Sequence, residues 1–475
     1  MTVAGLRVLR RRYHLLLALR WLPSGMFMTV FVLLMQERGL SLAAIGVGTA
    51  TQGLVMLALE LPSGGLADAL GRKPVLVLAG ALSIVASGLL LAVHGVVLLA
   101  VVFAIQGVYR ALDSGPLESW FVDAAFASDP QVDVERELGR AGVAICAAIG
   151  AGALAASGIV RAGGMGLDPL VAPLVAALAV QATGLVAVLV LIDEPRRGRG
   201  WAAARRAVGT VPAVMGGAVR TIRASRLLAA LVAGELLWGF GLVAFETFFP
   251  PRLAELGGGA DAAAGFVGPT LAGAWALSAF GCVCGPALVR RFGGGWTGCG
   301  LRLVHGAVVV GMGLAGAPPA LIVAYLASYW AHGATNPVHY GMVHRATGAA
   351  ERATVVSANS LAAQVGAAVS GIALGALADT AGIGAAMVVG GLVLAAAGPL
   401  YLTGRSRTAS AGLAGVGDEA EARRAGELAA EAGGGRAAAR AGDDAPVEGL
   451  GLVGGAVRPD AAEAGVDRRA LTRVG

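Results

Sequence analysis

The residues of this sequence best placed to do chemistry are ionisable side chains lying inside long apolar runs. Arg110, Asp113 and Glu118 interrupt the run at 96–120, Glu235 and Glu246 that at 227–249, and His332, Asn336 and His339 that at 320–342. A charge surrounded by hydrocarbon is costly, so each is a functional candidate by default. Arg110 and Asp113 are three apart and can pair on one helical face. Such a pair either couples to proton movement or holds the segment to its neighbours. Glu235 and Glu246 are eleven apart, so three helical turns return them to nearly one face, with Trp238 and Phe249 nearby. A carboxylate in a low dielectric favours its neutral form, which makes Glu235 a proton-carrier candidate. Glu246, near the end of its run, is expected to be solvated. His332 and His339 share a face and could bind protons or substrate, or could be hydrogen-bonded structural histidines. Arg20 is expected to snorkel towards the cytoplasm, with a role in holding a substrate anion as the lesser alternative.

The elements that must position these groups are membrane helices. The chain has 475 residues, 56% hydrophobic and only 14% charged, whereas a soluble chain carries charge on about a quarter of its residues. Twelve runs are long enough to cross a hydrocarbon layer of ~30 Å: 13–35, 42–61, 74–94, 96–120, 141–160, 169–191, 227–249, 265–289, 296–315, 320–342, 355–377 and 383–402. The fourth and tenth are the most interrupted by polar residues. Alternate connections carry the arginines: Arg7, Arg10, Arg11 and Arg12, then Arg72 and Lys73, Arg136 and Arg140, Arg290 and Arg291, and Arg345 and Arg352. The opposite set holds only Arg38, Arg161 and Arg252. Basic loops stay on the cytoplasmic side, which places both termini there and requires an even number of spans.

Four regions follow: a six-helix half at 1–192, a basic cytoplasmic connection at 193–226, a second six-helix half at 227–403, and a tail at 404–475. The connection either lies on the anionic inner leaflet or is a solvated linker. The tail is rich in Ala, Gly, Arg and Glu and lacks aromatics, a composition expected to remain disordered. Net charge is +6, but the basic residues sit between apolar runs, so nucleic acid is not an expected partner. Cys282-Val-Cys284 lacks metal-site spacing, and no phosphate-cradling loop or nucleophile elbow occurs. Neither cofactor, metal nor enzymatic activity is expected.

Between the second and third runs stands Gly64-Gly65-Leu66-Ala67-Asp68-Ala69-Leu70-Gly71-Arg72-Lys73. This resembles the signature loop of the major facilitator superfamily, G-x-x-x-D-x-x-G-[RK]-[RK]. The segments Arg110 to Asp123 and Glu351 to Ser360 resemble that superfamily's fourth span and its entry to the eleventh. The resemblance implies an all-α membrane fold of twelve transmembrane helices in two pseudo-symmetric six-helix halves, with alternating access to a central cavity. It also implies a conformational latch made of Gly64, Asp68, Gly71, Arg72 and Lys73, with Asp123 as the acid that pairs with Arg72. In the second half, aligning Gly293 with Gly71 puts Arg290 where Asp68 stands, so an equivalent latch is not expected to work the same way.

The implied function is secondary transport of a small molecule, with protons and the lipid bilayer as partners, by a monomer in the cell membrane. Proton-coupled export of a mostly apolar compound is the first expectation and an uptake permease for a polar metabolite the alternative. The fifth run has Gly139, Gly142, Gly150 and Gly152 but no Gly-Pro pair, which weakens the resemblance to drug/proton antiporters. Outside that class, a non-transporting membrane scaffold or sensor also fits.

Overall fold

A computed structural model describes residues 3–129, 131–194, 216–217, 219–348 and 351–403, without the side chains at 3, 4, 60–62, 64, 65, 67–69, 135 and 353. The basic connection over 195–215 and the tail from 404 lie outside the described residues. The first half comprises α1 (Val3–Glu37), α2 (Leu42–Leu70), α3 (Arg72–Leu90), α4 (Val96–Asp113), α5 (Pro116–Ser128), α6 (Val134–Arg161) and α7 (Ala172–Leu191). The second comprises α8 (Arg226–Glu246), α9 (Phe249–Gly257), α10 (Ala260–Phe292), α11 (Gly294–Leu314), α12 (Pro318–Ala346), α13 (Arg352–Ala381) and α14 (Ile383–Ala396).

Eleven segments among the described residues are long and apolar enough to cross a membrane. The twelfth, α12, is 29 residues long but carries His332, Asn336, His339, His344 and Arg345. It packs against α10 and α11, which cover His339 fully and His332 and Asn336 in part, while His344 and Arg345 are exposed at its end. The fourth span is broken into α4 and α5 at Gly115, whose φ of +93° is a left-handed conformation that glycine adopts without steric cost. Pro116 follows as the first residue of α5, where its missing N–H removes no helical bond.

The two halves repeat one another in detail. Arg38, after α1, donates to the carbonyls of Leu90 and Val93 at the end of α3. Arg252, after α8, donates to the carbonyl of Ala315 at the end of α11. Gly71 and Gly293 precede α3 and α11 with the same backbone geometry, φ/ψ 93°/159° and 76°/156°. The glycine turn is thus repeated even though Arg290 replaces the acid of the first loop.

The apolar core is fused at one end of the bundle and split at the other. At the end carrying Arg38, one continuous cluster joins Val30 to Met35 and Leu90 of the first half to Phe245, Phe249, Leu271, Tyr325 and Met387 of the second. At the end carrying Arg72, separate clusters form around Tyr13, Trp120 and Phe121 and around Leu231, Val343 and Tyr401. The halves therefore meet at the Arg38 face and part towards the Arg72 face.

Two seams make that closure, α2 against α13 and α6 against α10. In the first, Gly46 lies so close to α13 that an added Cβ would stand 1.8 Å from the Gly371 carbonyl oxygen. Asp379 then caps α2 across the divide, its two carboxylate oxygens accepting from the backbone N–H groups of Leu42 and Ala43 at 2.9 Å each. In the second seam, Ser157 Oγ donates to the Ala264 carbonyl at 2.5 Å and accepts from Gly268 N–H at 2.9 Å. The guanidinium of Arg161 lies 5.2 Å from the Phe266 ring centre.

Hydrogen bonds to a charged group contribute ~1.5–3 kcal/mol, which is roughly a 10- to 100-fold population shift. Asp379→Ala should therefore open the Arg38 face by a factor in that range. Gly46→Val should do so more completely. The rate of labelling of a cysteine placed at Thr49 by an impermeant maleimide measures this, and unchanged labelling in both variants would contradict the closure described.

Candidate functional site

A cavity of about 430 Å³ is lined mainly by the first half, with Glu246 and Trp275 bounding it from the second. It runs from Phe27 and Glu246 to Leu16, Leu76 and Leu117, the last three near the Arg72 ends of their helices. Its ionisable lining groups are Arg20, Arg110, Asp113 and Glu246, with Gln52, Gln106, Tyr109 and Gln181 as neutral polar groups and Trp21, Phe27 and Trp275 as aromatic ones.

The partner of Asp113 is not the expected neighbour on its own helix. Arg20 from α1 reaches across, its Nε in a short ion pair with Asp113 Oδ2 and its Nη2 donating to the Asp113 backbone oxygen at 2.7 Å. Asp113 is the last residue of α4, just before the Gly115 break, so its carbonyl has no helical partner and is available to Arg20. Arg20 thus turns inward and does not snorkel to the surface. Arg110, one turn before Asp113, is exposed to the cavity, and no carboxylate among the described residues pairs with it at ion-pair distance. Arg110 shares the cavity wall with Glu246 of the second half. Glu246 is consequently a cavity residue and not a solvated group at the mouth; it accepts a hydrogen bond from Tyr329 Oη at 3.1 Å.

Glu235 is held elsewhere. It is buried and pairs with Arg302 Nη2 at 3.2 Å, with His339 Nε2 at 3.4 Å from the same oxygen. His339 also contacts Tyr401 Oη at 2.8 Å through Nδ1 and Asn359 Oδ1 at 3.1 Å through Nε2. Arg302 donates to Tyr401 Oη at 3.3 Å and lies 5.7 Å from the Trp238 ring centre. The network joins α8, α11, α12, α13 and the short helix Pro399–Leu402 in the second half, away from the cavity wall. His332 and Asn336 are within 3.4 Å of one another, and His332 stacks on Trp238 with ring centres 5.3 Å apart. The expected shared face of His332 and His339 is therefore divided between two environments, and neither lines the cavity.

The signature loop forms a separate polar cluster. Gly64 and Asp68 fall in the last turns of α2, where their side chains lie outside the described ones. Arg72 Nη2 pairs with Asp123 Oδ2 at 2.6 Å, the partner anticipated from the sequence, and its Nη1 donates to the Ser119 carbonyl. Lys73 Nζ donates to the Leu189 carbonyl. Glu194 accepts from the backbone N–H groups of Arg72 and Lys73 at 3.0 and 2.8 Å, a carboxylate at the positive end of α3. Glu118 is exposed in the first turn of α5.

Sequence reasoning passed over Arg302 and His305, although both stand in the ninth apolar run and the rule applied to Arg110 picks them out. Asp379 and Glu194 carry no local signal, because their partners are backbone N–H groups 337 and 122 residues away.

The family model described as Major Facilitator Superfamily matches residues 14–325. No curated protein matches the sequence. Among solved structures, the nucleoside transporter NupG superposes with a TM-score of 0.69 at 15% identity, covering 83% of this chain and 99% of that one. A bacterial homologue of the human lysosomal transporter Spinster, in an inward-facing and unoccupied conformation, gives 0.63 at 15% identity over 84% and 97%. A bacterial homologue of the human drug peptide transporters gives 0.63 at 12% identity over 84% and 98%.

Removing one partner of a buried ion pair strands the other charge and costs about 3–5 kcal/mol, whereas replacing both with apolar groups is often neutral. Arg302→Met should accordingly lower the thermal stability of the purified protein sharply, and Arg302→Met with Glu235→Met should recover most of the loss. A double variant as unstable as the single one would mean that Glu235 is not the group that Arg302 neutralises.

Proposed function

Because the chain belongs to the Major Facilitator Superfamily, we propose that it is a proton-coupled secondary transporter moving a small polar molecule by alternating access. One observation carries this reading: a central cavity lined by both signs of charge and by side-chain amides, sealed at the Arg38 face and bounded by two unfused cores at the other. The positive-inside rule puts the Arg72 face in the cytoplasm, so the state described faces inward, in the cell membrane, with both termini cytoplasmic. Access alternates when the seams at the Arg38 face open and the halves close around Arg72. In the outward-facing state the Asp68 loop serves as the latch, while Arg72 and Asp123 keep it aligned within the first half.

Proton coupling is assigned to Glu235. Its neutralisation would release Arg302 and alter the hold on His339, which ties α8 and α12 to α11 and α13. Such a change repacks four helices without any cargo contact, and it gives the proton a means of shifting the balance between states. Export of a mostly apolar compound is the second reading, favoured by Trp21, Phe27 and Trp275 in the cavity wall.

Reconstituted vesicles test the proposal directly. Cargo candidates should dissipate an imposed proton gradient, and a protein that moves neither protons nor any cargo would instead be a scaffold or sensor. Asp68→Asn should abolish transport while leaving membrane insertion intact. Glu235→Gln should flatten the pH dependence of transport; a slope retained at wild-type steepness would remove Glu235 from the coupling role.

A further inference from the structure

The cavity also specifies the charge pattern of what it holds. Of its four ionisable lining groups, Arg20 and Asp113 neutralise one another in a short ion pair on the first-half side. That leaves Arg110 of α4 and Glu246 of α8, one from each half, of opposite sign and facing one space. They share the cavity wall, and no ion pair joins them among the described residues. Two further polar atoms of the same wall have no hydrogen-bond partner among the described residues: the acceptor Gln181 Oε1 from α7 and the donor Trp275 Nε1 from α10.

We propose that the cavity binds a zwitterion, a small molecule with a carboxylate at one end and an ammonium at the other, bridging Arg110 to Glu246 and so joining the two halves. The inference rests on the transporter reading above and names its substrate class. An apolar cargo that filled this space would strip water from two charges and return nothing to either. A cargo with one charge would satisfy one and strand the other, and a stranded buried charge is strongly unfavourable. A molecule with both ends charged satisfies both at once. Gln181 Oε1 supplies an additional acceptor for an ammonium and Trp275 Nε1 an additional donor for a carboxylate oxygen. Because the two charges belong to different halves, a bridging ligand draws the halves together over the cavity. A ligand held by one end alone does not.

The test is equilibrium binding to the detergent-purified full chain by titration calorimetry, with glycine, 4-aminobutyrate and 5-aminovalerate as zwitterions and valerate and pentylamine as singly charged controls. At least one zwitterion should bind tenfold or more tightly than both controls. Arg110→Gln should erase its advantage over pentylamine, and Glu246→Gln its advantage over valerate. Arg110→Lys and Glu246→Asp, which keep the charges, should retain part of each advantage and so separate loss of charge from loss of fold. Controls that bind as tightly as the zwitterions, or zwitterion affinity unchanged in both neutral variants, would overturn the proposal, as would the absence of binding by every zwitterion in the set. None of those outcomes bears on alternating access, which the maleimide labelling at Thr49 reads without any ligand.

Discussion

The contact on which the rest of the structure depends is the backbone-to-backbone closure of the two halves at the Arg38 face. Helices in lipid gain no hydrophobic energy by associating, because lipid tails are as apolar as the side chains they replace. Close approach and hydrogen bonding must supply the attraction. Gly46 against Gly371 gives the approach. Asp379 and Ser157 give bonds that cross from one half to the other. All of these are small or localised contacts, and a seam built from them can separate without unfolding either half. Closure at this face leaves the cleft to widen towards the other, and it sets the cavity between them.

The same device appears twice with different consequences. Glu194, just after α7, caps α3 of the half it follows, and Asp379 caps α2 from the opposite half. In both, a carboxylate satisfies two orphan N–H groups at the positive end of a helix dipole. The first cap ties a helix into a rigid body, and the second exists only while the two bodies are together. Cap geometry is alike in the two; they differ in that only the second joins one half to the other.

The halves also handle buried charge differently. In the second, Glu235, Arg302, His339, Asn359 and Tyr401 satisfy one another inside the packed helices. In the first, Arg110 is left facing the cavity while Arg20 and Asp113 pair beside it. The pseudo-symmetry evident in Arg38 and Arg252, and in Gly71 and Gly293, therefore holds for the scaffold but not for the chemistry. Each half nonetheless presents one charge to the cavity, Arg110 from the first and Glu246 from the second.

Much of the scaffold was legible in the residues themselves. Runs of apolar residues long enough to span hydrocarbon fixed the helices, and the alternation of arginines fixed which connections share a side. The glycine turn and basic pair at Gly71-Arg72-Lys73 marked the loop by local spacing, whereas the pairing of Arg72 with Asp123, 51 residues away, was anticipated only through the resemblance to the superfamily. The site was less legible. Local spacing pointed Arg110 at Asp113, yet Arg20, 93 residues away, took Asp113, and Glu246 moved from the rim to the cavity wall. His332 and His339 share a helical face but look onto different neighbours. Hydropathy depends on each segment's own composition and so is written along the chain. The partner of a buried charge depends on which helices meet, and only the packed bundle decides that.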